Sequence, residues 1–153
     1  MKERKLTSTV HSPKSRRPKA GKAESAFGKG RASELLVAAK LLPLGFDIFF
    51  PFSDRSAVDL IASHKTATHR LQIKSRWDPY TDRGTPIMLG KWNPNLVDFL
   101  IVFLAPDSYY VIPVDEIPTG KFNLSLFPYG FYGRKPVKLY EQFKNQWNLL
   151  KKS

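Results

Sequence analysis

The stretch "VDLIASHKTATHRLQIKSR", residues 58–76, decides the fold, because it predicts a β-hairpin. Two apolar-rich runs flank the turn sequence "HKTATH". In the second run Leu71 and Ile73 suit one buried face of a strand, and Gln72 and Lys74 share the other. A fully buried lysine is rare unless it is paired, so the polar face is either a solvated surface or part of a site.

Asp59 is the most informative acidic residue, because it stands between Val58 and Leu60 in an otherwise apolar strand. A carboxylate in such a strand needs a hydrogen-bonding partner or a metal ion. Directly opposite residues of a hairpin share a face, so Asp59 joins Gln72 and Lys74 if it lies opposite either of them.

The register of the hairpin therefore decides whether the three polar side chains meet. Pairing residue 59 with residue 74 centres the turn between Thr66 and Ala67, within "HKTATH". A slip of one residue would move Asp59 to the other face and break the cluster.

The segments around the hairpin predict an α/β layered domain. The apolar spacing of "GKGRASELLVAAK" is helical, and "PLG" ends that helix. In "FDIFFPF", Phe46, Ile48, Phe50 and Phe52 alternate as they would on one face of a strand. The expected elements are a helix in 28–45, strands in 46–52, 56–63, 70–76, 96–106 and 108–114, irregular spans in 77–95 and 121–133, and a closing amphipathic helix in 137–152.

The charge of the chain indicates a polyanionic partner. The 153 residues carry a formal net charge of +12 and no cysteine, which excludes disulfides, thiolate zinc sites and cysteine nucleophiles. Residues 1–31 hold ten basic and two acidic side chains, a net +8, so the other 122 residues carry only +4. We expect residues 1–27 to form a basic, disordered arm and residues 28–153 to form the domain. No apolar run is long enough to span a membrane.

The polar patch predicted on the hairpin suits a hard cation. Asp59, a backbone carbonyl and waters offer the oxygen ligands that Mg²⁺ prefers. Lys74 beside such an ion helps to deprotonate a water or stabilises charge that grows on a phosphate. The pattern therefore indicates metal-assisted hydrolysis of a phosphodiester.

Glu34 on the first helix, Asp59 before an apolar pair, and Gln72-Ile73-Lys74 resemble the PD-(D/E)xK nuclease superfamily in order and spacing. The chain is most similar to the group I intron-encoded homing endonuclease subgroup, which also has Gln in place of the usual acid. The resemblance covers about residues 28–115. It implies a restriction-endonuclease-like core, in which a mixed central β-sheet is flanked by helices.

The same resemblance implies a role for each matching residue. Asp59 would be the principal metal ligand, and Ile73 would supply a backbone carbonyl. Glu34 would assist the metal or its water, and Gln72 would fill the second ligand position. Lys74 would act on the nucleophilic water. The implied cofactor is Mg²⁺, with Mn²⁺ as a substitute, and the neutral Gln72 predicts weaker Mg²⁺ binding.

Several side chains beside the predicted site are candidates for DNA contact. Arg76 suits a backbone phosphate, whereas packing is slightly favoured over base stacking for Trp77. The alternative interpretation of Glu34 is an ordinary helix residue that pairs with Lys29 or Lys40. Asp98 is interpreted as a residue with a structural role. The full set of DNA-contact candidates is Lys29, Arg31, Arg55, Ser56, Ser75, Arg76, Trp77, Arg83 and Lys91.

The expected function is a metal-dependent DNA endonuclease of the homing type. Cutting both strands of double-stranded DNA favours a homo-oligomer, a dimer or a tetramer. The expected location is the cytoplasm, at the nucleoid, and organellar targeting by the basic arm stays open. One rival is a Holliday junction resolvase or repair nuclease of the same superfamily. The other is a catalytically inactive nucleic-acid-binding protein, which the neutral Gln72 keeps open.

Overall fold

A computed structural model describes residues 22–53, 56–80, 84–90, 93–127 and 140–152, with only the backbone of residues 22–25. The helix and strands of this part of the chain are α1 (Lys22–Leu41), β1 (Asp47–Phe49), β2 (Leu60–His64), β3 (Ala67–Arg76), β4 (Thr85–Met88), β5 (Phe99–Leu104), β6 (Ser108–Pro113) and β7 (Asn123–Leu126). None of the described helices is long and apolar enough to cross a membrane.

Five strands form a mixed central sheet in the order β1-β2-β3-β5-β6. β3 is the middle strand, antiparallel to β2 and parallel to β5. β5 is buried over nearly its whole length, as its continuous apolar run predicts. The predicted mixed central sheet is therefore confirmed, and the strand that carries the polar motif lies at its centre.

The turn of the β2–β3 hairpin lies one residue earlier than the predicted pairing of 59 with 74 requires. Leu60 lies opposite Leu71, whereas the predicted register would place it opposite Ile73. The pairing with residue 74 is wrong by two positions, because Lys65 adopts a left-handed φ of 53° and closes a short turn with Thr66. An even shift keeps every side chain on its predicted face.

The two faces of the sheet are buried by different elements. On one face Leu71 and Ile73 pack in a cluster with Val37 and Leu41 of α1. The other face is covered, in the part of the chain that the structure describes, by a second sheet of two strands, β4 and β7. Both strands fall in spans that the sequence predicts to be irregular, and that prediction is wrong. Each strand is short, and each finds its partner only across a long sequence separation.

The predicted closing helix is also wrong. The described residues 140–152 form two 3₁₀-helices, Glu141–Phe143 and Trp147–Lys151. Between them Asn145 has a φ of 56°, and its N–H donates to the Tyr109 carbonyl at 2.8 Å. This contact with the edge of β6 replaces a continuous helix. Residues 137–139 lie outside the described residues.

The N-terminal boundaries differ from the prediction at two places. α1 begins at Lys22, so residues 22–27, expected in the disordered arm, are helical. The strand expected in 46–52 is only Asp47–Phe49, because Pro51 lacks the N–H that a strand ladder needs. The helix stops as predicted, and Gly45 caps the 3₁₀ turn that follows it with a φ of 85°.

Candidate active site

Asp59 is held against β3 by both its backbone and its side chain. Its N–H donates to the Leu71 carbonyl at 2.9 Å, and its Oδ2 accepts the Ile73 N–H at 2.6 Å. The β2 ladder ends at Leu60, so the carboxylate occupies the position that a next strand residue would take. The half-buried carboxylate is thereby fixed at the edge of the central strand.

The electrostatic surroundings of Asp59 disfavour its charged form. Burial raises its pKa, the Ile73 N–H lowers it, the Glu34 carboxylate raises it and the Lys74 ammonium lowers it. The net direction is upward, so the groups that favour the carboxylate do not offset its burial. A positive ion between Asp59 and Glu34 would relieve this repulsion, and the donor set fits such an ion.

Glu34 and Asp59 line the same cavity, which has a volume of about 600 Å³. Glu34 projects from α1, and its Oε2 accepts from Arg31 Nη1 at 2.5 Å. The proposed pairing with Lys29 or Lys40 is therefore replaced by a contact one turn away on the same helix. The structure brings the two predicted carboxylates together from elements that are distant in sequence.

Gln72 and Lys74 lie on the opposite face of β3 from the residues that pack on α1. Both are half-buried, and neither is among the described residues that line the cavity. Lys74 nevertheless lies close enough for its charge to lower the pKa of Asp59. Gln72 follows Leu71, the residue of β3 that pairs with Leu60 at the end of the β2 ladder.

The Ile73 carbonyl faces the side of the sheet on which Asp59 lies. The N–H and C=O of a strand residue point to the same neighbour, and the Ile73 N–H points to Asp59. β2 has no ladder residue beyond Leu60 to bind this carbonyl. Its oxygen is thus a third oxygen donor beside the two carboxylates.

The DNA-contact candidates on α1 and in the following loop lie around the cavity. Arg31 lines it, with its guanidinium 4.7 Å from the centre of the Phe50 ring, and Lys29 is exposed two residues before. Ser56 also lines the cavity, and its Oγ accepts the Val58 N–H at 3.0 Å. Three further candidates, Arg55, Arg83 and Lys91, lie outside the described residues.

The candidates at the end of β3 have protein partners. Arg76 Nε donates to the Asp78 carbonyl at 3.3 Å, and its guanidinium lies 5.4 Å from the Tyr80 ring centre. Trp77 packs edge-on against Phe103 at 5.3 Å, the arrangement that packing predicts. Ser75 is half-buried in the strand. DNA contact by these three residues stays a prediction.

Sequence reasoning missed the aromatic wall of the cavity, which is formed by Phe27, Phe50 and Phe52. The alternation in "FDIFFPF" predicts Phe50 and Phe52 on one face of a strand with Phe46. In the structure Phe46 is buried, whereas Phe50 and Phe52 are exposed. Pro51 between them was the signal that the strand had already ended.

Asp98 has the structural role that the sequence predicts. Its Oδ2 accepts the Arg70 backbone N–H at 2.7 Å, and its Oδ1 accepts from Arg70 Nη2 at 2.8 Å. The Arg70 guanidinium holds the pKa of this carboxyl below its ordinary value. The pair joins the neighbouring ends of β3 and β5.

Residues 26–85 of the chain match a family model described as PD-(D/E)XK endonuclease. This range contains the four side chains that carry the resemblance: Glu34, Asp59, Gln72 and Lys74. The resemblance to the PD-(D/E)xK superfamily predicted from the sequence is confirmed. No curated protein matches the chain.

Two solved structures share the fold. The bacterial homing endonuclease I-Ssp6803I is 22% identical with a TM-score of 0.66, over 79% of this chain and 87% of that one. Hjc, a Holliday junction resolvase from Archaeoglobus fulgidus, is 14% identical with a TM-score of 0.50, over 65% of this chain and 84% of that one. These similarities confirm the restriction-endonuclease-like fold.

Proposed function

We propose that the protein is a metal-dependent endonuclease that hydrolyses phosphodiester bonds of DNA. The observation that carries the proposal is the meeting of Glu34 and Asp59 at one cavity, next to the strand that bears Lys74. The charge of Glu34 raises the pKa of Asp59, and a cation between the two carboxylates would relieve this repulsion. The match to the endonuclease family over the same residues supports the proposal.

The cation would be held by oxygen atoms of Asp59, Glu34 and the Ile73 carbonyl, with the Gln72 amide as a fourth donor. Oxygen donors of this kind suit Mg²⁺, with Mn²⁺ as the substitute. When bound, the ion supplies positive charge that stabilises the charge developing on the phosphate. The donor set carries only two formal charges, because Gln72 is neutral.

The chain's own groups perform the remaining tasks. The Ile73 N–H holds the Asp59 carboxylate in one orientation through a 2.6 Å hydrogen bond. The charge on Lys74 Nζ lowers the pKa of Asp59 against the larger effect of burial, and it would stabilise negative charge on a phosphate oxygen. Arg31 at the cavity and Lys29 beside it would bind the flanking phosphates.

We propose double-stranded DNA as the substrate and a homo-oligomer as the active form. The net charge of +12 favours a polyanion, and one active site cuts one strand at a time. A dimer or tetramer would place two sites on the two strands. Light scattering tests this point, and a lone monomer both free and on DNA would contradict it.

The test of the activity is incubation of the protein with supercoiled plasmid in Mg²⁺, in Mn²⁺ and in chelator. We expect nicked and linear products with either metal and none with chelator. Lys74→Ala should strongly reduce the products, whereas Lys121→Ala, at an exposed position outside this cavity, should leave them unchanged. Equal products from wild type and Lys74→Ala would refute the catalytic proposal.

Two further outcomes decide between the rival functions. Tight DNA binding without cleavage in either metal would assign the chain to inactive binding proteins. Cleavage of four-way junctions but not of long duplex would favour a resolvase. Fragment ends from a digested complex DNA mixture would give the sequence preference of a homing-type enzyme.

A further inference from the structure

Three phenyl rings surround the cavity that holds the two carboxylates. Phe27, Phe50 and Phe52 are 70%, 36% and 108% exposed, so the folded core does not need them. We call these three residues the phenyl rim. Several exposed aromatic rings around one concavity mark a binding surface rather than scattered surface residues.

The cavity wall combines aromatic, basic and acidic side chains. Arg31 lines it, with its guanidinium 4.7 Å from the Phe50 ring centre and an ion pair to Glu34. Asp59 lines the same cavity. A ligand that fits this cavity has a flat aromatic part joined to a group that binds a metal held by the two carboxylates.

We infer that the phenyl rim stacks on an unstacked nucleobase next to the phosphodiester that is cut, an inference that rests on the proposed function. The preferred substrate is then DNA with an unpaired or displaced nucleotide beside the scissile phosphate. Every base has a π-face, so phenyl rings accept it without sequence choice. The cavity volume of about 600 Å³ leaves ample room for one base.

The occupant is a nucleotide rather than a free anion or an acyl chain. A free anion would leave the three phenyl rings uncovered, and an acyl chain would meet the charged Arg31 in the cavity wall. A nucleotide avoids both mismatches, because its phosphate is separated from its base by the sugar. Arg31 also offers the base a second flat surface, since guanidinium groups stack on aromatic rings.

The test measures binding of two otherwise identical duplexes, one intact and one with a single unpaired 2-aminopurine. Ca²⁺ replaces Mg²⁺, so that the DNA remains uncut during the measurement. Wild type should bind the duplex with the unpaired base at least about 10-fold more tightly, and 2-aminopurine fluorescence should change on binding.

The variants replace aromatic faces by apolar side chains of similar bulk. Phe50→Leu/Phe52→Leu should lose most of the preference, and Phe52→Leu alone should lose part of it while the Arg31–Phe50 contact remains. Phe122→Leu is the matched control, because Phe122 is 75% exposed and does not line this cavity. Thermal unfolding of all variants checks that they fold.

Three results would overturn the inference. The first is equal binding of the two duplexes by the wild type. The second is a double variant that keeps the full preference. The third is a double variant whose mass in solution differs from that of the wild type. The last result would assign the phenyl rim to a subunit contact. Plasmid cleavage in Mg²⁺ separates the two proposals: cleavage without the binding preference refutes the phenyl-rim inference alone, and failure to cleave any DNA refutes the proposed function.

Discussion

Two aspartates bind the backbone of the same strand from opposite sides, with opposite results. Asp59 Oδ2 accepts the Ile73 N–H at 2.6 Å, and Asp98 Oδ2 accepts the Arg70 N–H at 2.7 Å. Asp98 also binds the Arg70 guanidinium, and its pKa is lowered. The pKa of Asp59 is raised, because burial and Glu34 oppose its charge.

The opposite pKa shifts distinguish the two carboxylates. Asp98 is stabilised by an ion pair within the fold, whereas a bound cation would stabilise the charged form of Asp59. A backbone hydrogen bond alone orients a carboxylate, but it does not offset burial next to a second acid. The Arg70 guanidinium lowers the pKa of Asp98. For Asp59, the Ile73 N–H and the Lys74 charge also lower the pKa, but they do not offset the effect of burial. The same residue type therefore forms an ion pair on one side of β3 and is the proposed metal ligand on the other.

Asp59→Asn should give the largest effect and the sharpest contrast with Asp98. We expect cleavage to fall by at least about 10²–10³-fold, because the proposed principal metal ligand is lost. The unfolding temperature should stay equal or rise, since the amide keeps an acceptor for the Ile73 N–H and removes a buried charge. Melting curves and plasmid assays on the same preparation measure both. A clear drop in stability would place Asp59 with Asp98 as a structural residue.

Lys74→Ala should increase the difference between the pKa values of Asp59 and Asp98. Lys74 lowers the pKa of Asp59, so its removal raises that pKa further. We expect a roughly 10²-fold loss of cleavage and an acidic limb of the pH–rate profile that moves to higher pH. Lys121→Ala serves as the control. An acidic limb that stays in place would show that Lys74 does not act on Asp59.

Asp98→Asn should lower the unfolding temperature and leave cleavage close to that of wild type. The pKa of Asp98 is lower in the folded than in the unfolded chain. Its ionised form therefore stabilises the protein above the unfolded value of about 3.9, and this contribution is lost as the pH falls through the folded pKa. Denaturant titrations of wild type and variant should converge at low pH. A constant difference at every pH would contradict this linkage.

Arg31→Ala tests whether Arg31 competes with a metal ion for the Glu34 carboxylate. Arg31 neutralises Glu34, so its removal should tighten Mn²⁺ binding by roughly two- to five-fold, which is modest because the pair is exposed. Calorimetry with Mn²⁺ measures the change, with Lys29→Ala as the control. Weaker Mn²⁺ binding would mean that Arg31 positions Glu34 for the ion.

The face of each polar residue in the hairpin could be predicted, but its register could not. Alternation in "LQIK" requires Gln72 and Lys74 to oppose the α1 face, as the structure has them. The turn lacks the glycine or asparagine that would have fixed it, and Lys65 adopts the left-handed conformation instead. An error of two positions left the ladder residues on their predicted faces.

Contacts between distant segments account for the failures. The C-terminal segment has a helical apolar pattern, but Asn145 bonds to Tyr109 and Lys144 bridges to Tyr110, which no local pattern reveals. Similarly, β4 and β7 are strands only because they pair with each other. Among the site residues, Asp59 was predicted from its place in an apolar strand and the role of Glu34 from a family resemblance. Phe50 and Phe52 of the phenyl rim lie where the strand prediction was wrong.

The middle residue of Gln72-Ile73-Lys74 contributes through its peptide group rather than its side chain. Its N–H orients Asp59, its carbonyl faces the same side, and its side chain is only 8% exposed in the apolar core. Valine or leucine would supply the same peptide atoms, so this position could drift among apolar residues without chemical penalty. Part of the site therefore consists of peptide atoms, which selection could keep without keeping one particular amino acid at this position.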